Sequence, residues 1–251
     1  MTPFTAEQLT GRTRSHVVPL EAALAGPTPV SLHPEAAQAL RALHDAAALA
    51  GMDLAVVSGF RDFARQCDIW NAKFTGARPL LDRAGAVLDV RTMQGPAIVE
   101  AILAWSALPG ASRHHWGTDV DVIDRAAPPV DAPVRLEPDE YATGGRFARL
   151  HAWLLQHSER YGFYHPYDQP RGGVQPEPWH LSYAPLAHAA LAALTLEVLQ
   201  SALESCELAG RELVYAQLPS IHARYVRAVA MPSAVALAAA AAQSCSQAFL
   251  K

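Results

Sequence analysis

The first half of the chain alternates between helical and strand-like hydrophobic patterns. Between Pro34 and Gly51, alanine and leucine recur at helical spacing, which predicts a helix that ends at the glycine. The short apolar run at 54–57 predicts a buried strand. Two further helices are predicted at 62–74, after a capping aspartate, and at about 96–107, where a proline occupies the first position.

The second half contains a predicted strand with two acidic residues. Its β-branched residues predict a strand at 118–123, and the period of two places Asp119 and Asp121 on the same face. The Pro- and Gly-rich stretch 166–178 predicts a loop that overhangs the site formed by these residues. The segment 180–183, directly after the loop, is predicted as the last strand of the core.

The remaining hydrophobic patterns are helical. A helix is predicted at 145–160, and its buried side is expected to carry Phe147, Leu150, Leu154 and Leu155. From Leu186 onward the pattern is helical again, with breaks at Gly210 and Pro232. This tail shows no residues with evident chemistry. We expect it to serve packing or the formation of a homo-oligomer.

Composition and charge exclude several classes of protein. Hydrophobic residues make up 51% of the 251 residues and charged residues 18%, which indicates a folded chain. The net charge of −4 gives no electrostatic case for a nucleic-acid partner. The most apolar run, 234–242, is shorter than the ~18–20 residues that a membrane span needs, so no span is predicted.

The N-terminal residues and the cysteines bear on the cellular compartment. Residues 1–20 contain no apolar segment of a signal peptide, so a cytoplasmic location is expected, or a periplasmic one if the true start lies upstream of Met1. Cys67, Cys206 and Cys245 are odd in number and lack C-x-x-C spacing. They are therefore expected to be free structural thiols.

Two separated segments contain residues that could hold a metal ion. A single histidine among eleven is weak evidence, but His114 lies seven residues before the strand-borne Asp121. A second histidine, His180, follows a carboxylate in the segment Glu-Pro-Trp-His. Catalytic zinc sites typically use three ligands drawn from His and Asp/Glu and leave the fourth position open. We predict that His114, Asp121 and His180 bind zinc and that Glu177 is the base that accepts a proton from water.

Three blocks of the sequence resemble the VanY-type zinc D-alanyl-D-alanine carboxypeptidases, relatives of the hedgehog-like peptidase fold. The pattern of that family is Ser-x-His-x-x-Gly-x-x-x-Asp, followed later by Glu-x-x-His, with Ser-Gly-aromatic-Arg-x4-Gln upstream. The matching residues are Ser112, His114, Gly117 and Asp121 in the first block, Glu177 and His180 in the second, and Ser58, Gly59, Phe60, Arg61 and Gln66 in the third.

The resemblance implies a fold and a division of the chain. The fold is an α+β fold, a small and mainly antiparallel sheet flanked by helices, with an all-α C-terminal extension. The zinc peptidase domain would cover residues 35–185. An irregular segment, 1–34, would precede it, and the helical extension, 186–251, would follow.

The resemblance also implies roles for individual residues. Arg61 would contact either a substrate carboxylate or the oxyanion of the tetrahedral intermediate. Ser58, Gln66 and Ser112 would bind the substrate. Asp119 is expected to orient a ligating imidazole by accepting its other N–H.

Two further expectations concern the neighbours of the ligands. His115 is not expected to bind the metal. In a regular strand Glu177 and His180 would face opposite sides, because their spacing of three is odd against a period of two. An irregular start of the last strand, which Pro178 favours, is therefore expected to turn both toward the metal.

The implied function is that of a D,D-carboxypeptidase, which removes a terminal D-Ala from a peptidoglycan-derived peptide. An L,D-carboxypeptidase, a D,D-dipeptidase or an endopeptidase on the same site remains an alternative, with the loop 166–176 as the expected determinant. An alternative from a different class is a non-catalytic zinc-containing binding module. Glu177 argues against it, because a purely structural site needs no carboxylate placed as a base.

Overall fold

The N-terminal segment is joined to the rest of the fold. The computed structural model describes residues 4–26, 28–129 and 133–239. The segment contains helix α1 (Ala6–Leu9) and two paired strands, β1 (Val18–Pro19) and β2 (Ser31–Leu32). Its buried side chains Phe4, Leu9, Leu20 and Leu24 belong to the main hydrophobic core. The segment predicted as irregular thus contains three short elements and contributes to that core.

The elements of the first half match the predicted helices and strand. In chain order they are helix α2 (Pro34–Leu49), strand β3 (Leu54–Ser58), helix α3 (Phe63–Phe74), the paired strands β4 (Leu80–Leu81) and β5 (Val87–Leu88), and helix α4 (Gly95–Trp105). The side chain of Asp62 accepts the N–H of Arg65 and caps α3, as its position in the sequence predicts.

A four-stranded antiparallel sheet lies behind the predicted site. The second half adds strand β6 (Asp119–Asp124), helices α5 (Pro138–Tyr141) and α6 (Ala148–His157), and strands β7 (Phe163–Tyr164) and β8 (His180–Tyr183). The strand order is β3-β6-β8-β7, and every pair is antiparallel. All six residues of β6 are buried, and β6 and β8 are the two inner strands of the sheet. The predicted α+β fold is confirmed.

One predicted core residue is on the surface. Leu150 and Leu154 of α6 are fully buried, but Leu155 is 60% exposed. A helix turns about 100° per residue, so Leu155 points away from the face that Leu154 occupies. The prediction for Leu155 is wrong, because the buried face of α6 includes Leu150 and Leu154 but does not extend to Leu155.

The C-terminal extension is all-α, as predicted, but it breaks at a point that the pattern did not indicate. Helix α7 (Ala184–Ala193) and helix α8 (Leu196–Glu204) are separate, and the Thr195 side chain caps α8 by accepting the N–H of Val198. Helix α9 (Arg211–Ile221) follows and continues into a π-helical turn at His222–Arg227. Within the described ranges no single helix has both the length and the apolar composition of a membrane crossing; only α7 and α8 taken together would, across a bend of 76°.

The extension packs onto the peptidase region. Buried residues of α7, α8 and α9 lie in the same core cluster as residues of α1 to α4, among them Leu191, Leu199, Val214 and Leu218. The indole N–H of Trp70 donates to the carbonyl of Ala209 at 3.0 Å. The expected packing role is thus observed within one chain, while the homo-oligomer and the boundaries after residues 34 and 185 stay predictions.

Two cysteines lie at the contact between the same two regions. The Sγ atoms of Cys67 in α3 and Cys206, after α8, lie 2.8 Å apart, and both residues are free thiols as predicted. Residues 234–239 of the last apolar run are helical, whereas Cys245 lies outside the described residues.

Gly117 connects the N-terminal segment to the start of β6. Its φ is +67°, in the left-handed region, and a Cβ there would lie 2.5 Å from Val17 Cγ1 and 2.9 Å from the backbone nitrogen of His33. Its carbonyl accepts the N–H of His33 at 2.8 Å. Glycine is required at this position both by the backbone conformation and by the space available.

We expect Gly117→Ala to destabilise the protein by about 2–5 kcal/mol, the sum of left-handed strain and overpacking. Gly85→Ala is the matched control, because Gly85 has φ +87° but a Cβ there would meet nothing within 4 Å. Its free energy of unfolding should fall only by the cost of the left-handed backbone conformation, about 1–2 kcal/mol. The free energies of unfolding come from urea titrations, and equal losses in both variants would contradict the close packing around Gly117.

Candidate metal centre

Three segments bring the predicted ligands together. His114 lies in the 3-10 turn Arg113–Trp116, Asp121 lies in β6, and His180 is the first residue of β8. Asp121 and His180 are direct partners in the antiparallel register. One donor atom from each of the three buried residues lies within 4.8 Å of the other two. The predicted ligand set is therefore clustered, although its residues are up to 66 positions apart (180 − 114).

The separations of the donor atoms suit a zinc ion. His114 Nε2 lies 3.4 Å from Asp121 Oδ2, and His180 Nδ1 lies 3.1 Å from Asp121 Oδ1. Two ligand atoms at about 2.0–2.1 Å from zinc are about 3.4 Å apart at a tetrahedral angle. Two imidazoles and one carboxylate are also donor types that zinc accepts. The residues present thus fit the metal that the sequence predicts.

The electrostatic surroundings of the two imidazoles differ. Burial lowers the pKa of His114 to about 4, so that ring is neutral, as a ligand must be. Burial also opposes the charged form of His180, but hydrogen bonds to Asp119 and Asp121 raise its pKa to about 10. These carboxylates favour a positive charge beside them, and a divalent cation would supply it.

Asp119 fixes the orientation of His180. Its Oδ1 lies 3.0 Å from His180 Nε2, on the far side of the ring from Asp121. The Oδ2 atom of Asp119 accepts the hydroxyls of Thr118 at 2.6 Å and Ser182 at 3.1 Å. A proton on Nε2 leaves the lone pair of Nδ1 free to face a metal. These contacts match the orienting role predicted for Asp119.

Arg113 completes this buried network, and sequence reasoning missed it. Its Nε donates to Asp119 Oδ1 at 2.8 Å, and its Nη2 donates to the hydroxyls of Tyr164 at 3.1 Å and Ser182 at 2.5 Å. Burial opposes the ionised form of Asp119, but Arg113 and His180 hold its pKa well below the usual range. The only sequence signal was the position of Arg113 beside His114, within the first block.

Glu177 precedes β8 and turns toward the same cluster. The N–H of His180 donates to the Glu177 carbonyl at 3.1 Å, so the two residues are joined by a turn instead of a strand. Glu177 Oε2 then lies 3.5 Å from His180 Nδ1. The predicted irregular start of the last strand is confirmed. Burial raises the pKa of Glu177 to about 7, in spite of the opposing charges of His180, Arg61 and Lys73.

Arg61 points into the same cleft and is held from behind. Its Nη1 donates to Gln66 Oε1 at 3.0 Å and its Nη2 to Ser58 Oγ at 3.2 Å. Gln66 is fully buried, and its Nε2 donates to the carbonyl of Ala107 at 2.7 Å. Ser58 and Gln66 therefore position Arg61, while the substrate contact predicted for these two residues stays a prediction. Ser112 does line the cleft, as predicted.

His115 lies outside the cluster, as predicted. Its Nδ1 lies 2.6 Å from the carbonyl of Arg61, and its Nε2 accepts the N–H of Gly110 at 3.1 Å. Because Nε2 accepts, Nδ1 carries the proton and donates. Both ring nitrogens are engaged, and the residue supports the backbone that presents Arg61.

The metal cluster opens into a cleft of about 420 Å³. Tyr167 and Val174, from the loop before Glu177, form part of its wall, as the predicted overhang requires. Lys73 and Arg78 line it as well. Sequence reasoning did not single out these two cations. A signal for Lys73 was available, since it and Lys251 are the two lysines of a chain that otherwise uses arginine.

Comparisons with known proteins agree with this geometry. A family model described as VanY, D-alanyl-D-alanine carboxypeptidase, matches residues 29–186, which include all three sequence blocks. One uncharacterized protein of Haemophilus influenzae is 36% identical over 121 residues, which cover 47% of this chain and 92% of that protein. Another from the same organism is 44% identical over 109 residues, covering 42% and 70% respectively.

Solved structures with a similar course of the chain include two peptidases. One is a variant of the vancomycin resistance D,D-pentapeptidase VanY from a VanB-type cassette in complex with Zn(II), with 22% identity and a TM-score of 0.46. The alignment covers 78% of this chain and 93% of that one. The other is the LdcB LD-carboxypeptidase, with 23% identity, a TM-score of 0.49 and coverage of 80% and 78%.

We expect His114→Ala to abolish stoichiometric zinc binding, because two remaining protein ligands do not make a zinc site of this class. His157→Ala is the control: its imidazole stacks on Trp153, away from the cluster. Metal content after gel filtration measures both. One zinc per chain in the His114 variant would mean that the ligand set is wrong.

Asp119→Asn should keep the zinc site but weaken its affinity by ~10–100-fold, the usual effect of losing a carboxylate that orients a ligating imidazole. Competition with a chromophoric chelator gives the affinity, and circular dichroism checks the fold. A complete loss of metal from a folded variant would instead make Asp119 a direct ligand.

Proposed function

The chain belongs to the VanY family of D-alanyl-D-alanine carboxypeptidases, which makes it a peptidase, and we propose that it uses zinc to remove a C-terminal D-Ala from peptidoglycan-type peptides. The zinc ion would be held by His114, Asp121 and His180. Glu177 would act as the general base, and Arg61 would stabilise the developing negative charge.

One observation carries this proposal: a three-donor cluster and a nearby fourth carboxylate face the same cleft. Structural zinc sites are closed by four protein ligands, whereas catalytic sites have three and keep one position open. Here the three donors are His114, Asp121 and His180, and Glu177 Oε2 lies 3.5 Å from His180 Nδ1. This arrangement supports hydrolysis over a purely structural metal.

The chain's own residues divide the proton transfer and the charge stabilisation between them. Zinc, when bound, supplies a Lewis acid that polarises the scissile carbonyl and acidifies water near neutral pH. The Glu177 carboxylate takes the proton of the attacking water and passes it to the nitrogen of the leaving D-Ala. Its pKa of about 7 lies near the operating pH, which suits both the acceptance and the donation of a proton.

Arg61 serves the oxygen of the scissile carbonyl. Its guanidinium is kept in place by Ser58 and Gln66, at 3.2 Å and 3.0 Å. A donor held in position before the reaction stabilises the oxyanion without further reorganisation. Ser58 and Gln66 thus contribute through Arg61.

Muramyl peptides of different length test the proposed substrate. The zinc-loaded protein is incubated with the tripeptide, the tetrapeptide and the pentapeptide, and released D-Ala is followed by mass spectrometry. Release from the pentapeptide supports the D,D-carboxypeptidase. Release from the tetrapeptide alone would identify an L,D-carboxypeptidase, and loss of a dipeptide a D,D-dipeptidase. No release from any of them would contradict the proposal.

Glu177→Gln should retain zinc but lose about 10²–10⁴ in kcat, the usual contribution of general acid–base catalysis. Glu137→Gln is a matched control, because Glu137 lines the same cleft but is paired with Arg135. The control should change the rate by less than about tenfold, as expected for a partly exposed ion pair. A near-normal rate of the Glu177 variant would refute its role as the base.

A further inference from the structure

Two cations on the cleft wall lack an anionic partner. Lys73 lies in the last turn of α3, and Arg78 follows four residues after that helix ends. Lys73 Nζ donates to Ser106 Oγ at 2.7 Å, which is a neutral partner. Neither Lys73 nor Arg78 forms an ion pair with any residue that the structure describes, and both line the cleft that contains Glu177.

Two other cations of the same cleft, Arg113 and Arg135, are neutralised by protein carboxylates. Arg113 pairs with Asp119 at 2.8 Å, and Arg135 pairs with Glu137 and Asp139 at 2.5 and 2.7 Å. Arg61, Lys73 and Arg78 line the cleft without an ion pair among the described residues, and Arg61 is the one of the three whose guanidinium is held by Ser58 and Gln66.

The surroundings of Lys73 favour an added anion. Burial lowers the pKa of Lys73 to about 8; the Glu177 carboxylate opposes this shift, and the positive charges of Arg78 and Arg61 add to it. A lysine ammonium has three N–H donors, and the bond to Ser106 uses one of them. The other two N–H groups, together with the planar donor group of Arg78, suit a carboxylate.

Apolar residues surround these two cations and limit what the anion can belong to. Ile69, one turn before Lys73 on α3, Leu81 and Trp105 line the same cleft. A ligand that has a small apolar side chain next to a carboxylate fits this combination of cationic and apolar residues. A terminal alanine has this chemistry.

We propose that Lys73 and Arg78 form the subsite that binds the C-terminal carboxylate of the peptide substrate. This inference rests on the proposed function and deepens it. It assigns the enzyme as an exopeptidase, since an internal peptide bond would leave two half-buried cations without an anion. It also decides between the two roles considered for Arg61: the carboxylate is bound elsewhere, and Arg61 is left for the oxyanion.

The test measures binding separately from hydrolysis. Zinc-loaded Glu177→Gln protein is titrated at pH 7 with N-acetyl-D-alanyl-D-alanine and with its C-terminal amide in a calorimeter. The acid should bind ~10–100-fold more tightly than the amide, the effect of one or two charge-assisted hydrogen bonds. Adding Lys73→Met should reduce this acid-to-amide ratio to near one, and Lys73→Arg should restore much of it.

Two further variants keep the test decisive. Arg78→Met should lower the ratio in the same direction if the Lys73 variant fails to fold. Arg91→Met is the charge-matched control, because Arg91 is 89% exposed and paired with Asp89, and it should leave the ratio unchanged. A purely structural role of Lys73 at the end of α3 would change the melting temperature and leave the ratio intact.

The outcomes separate this inference from the function on which it rests. An acid-to-amide ratio that is near one in the Lys73-containing protein, or that survives both Lys73→Met and Arg78→Met, overturns the carboxylate subsite. The absence of binding by the acid overturns it as well. Hydrolysis of the two peptides by the protein with Glu177 intact is measured separately. Peptide binding without cleavage would contradict the proposed function but not the carboxylate subsite.

Discussion

The buried carboxylate of Asp119 is the constraint on which the centre depends. It accepts hydrogen bonds from Arg113, Thr118 and Ser182 and lies 3.0 Å from His180 Nε2. A buried charge is tolerated only when it is paired and fully hydrogen-bonded. The loss of one of these contacts would therefore destabilise the others. Through them the turn before β6 and the strands β6 and β8 are held in one arrangement. The metal cluster is the end of that arrangement that faces the cleft.

The cations of the site are distinguished by what surrounds them. Arg113 is buried with a carboxylate and acts on structure, whereas Arg61 is held by neutral groups and faces the reacting centre. Lys73 and Arg78 form no ion pair with the residues that the structure describes, and we assign them to a ligand. Positive charge thus has three roles in the same cleft: to stabilise the structure, to face the reacting centre and to bind a ligand. The partners of each cation determine its role.

Local patterns predicted most of the fold, and long-range contacts account for the errors. The strand β6 and the helix α3 were recognisable because period and capping are properties of adjacent residues. The break at Thr195 was missed because apolar residues at helical spacing, among them Leu191, Leu194 and Val198, continue across it. Likewise, local patterns did not indicate the contact of Gln66 with the carbonyl of Ala107, 41 residues away, which places it behind Arg61. The metal cluster was predictable because zinc-binding residue types recur in the separated segments and because the three blocks resemble a known family.

The most direct test of this account is X-ray absorption at the zinc edge on the protein loaded with one equivalent of zinc. The account predicts two imidazole nitrogens at about 2.0–2.1 Å, a carboxylate oxygen at about 2.0–2.2 Å and no sulfur. In Asp121→Ala protein the carboxylate contribution should vanish or the zinc should be lost. A sulfur ligand near about 2.3 Å, or a spectrum without imidazole scattering, would contradict the assignment of the centre and every role derived from it.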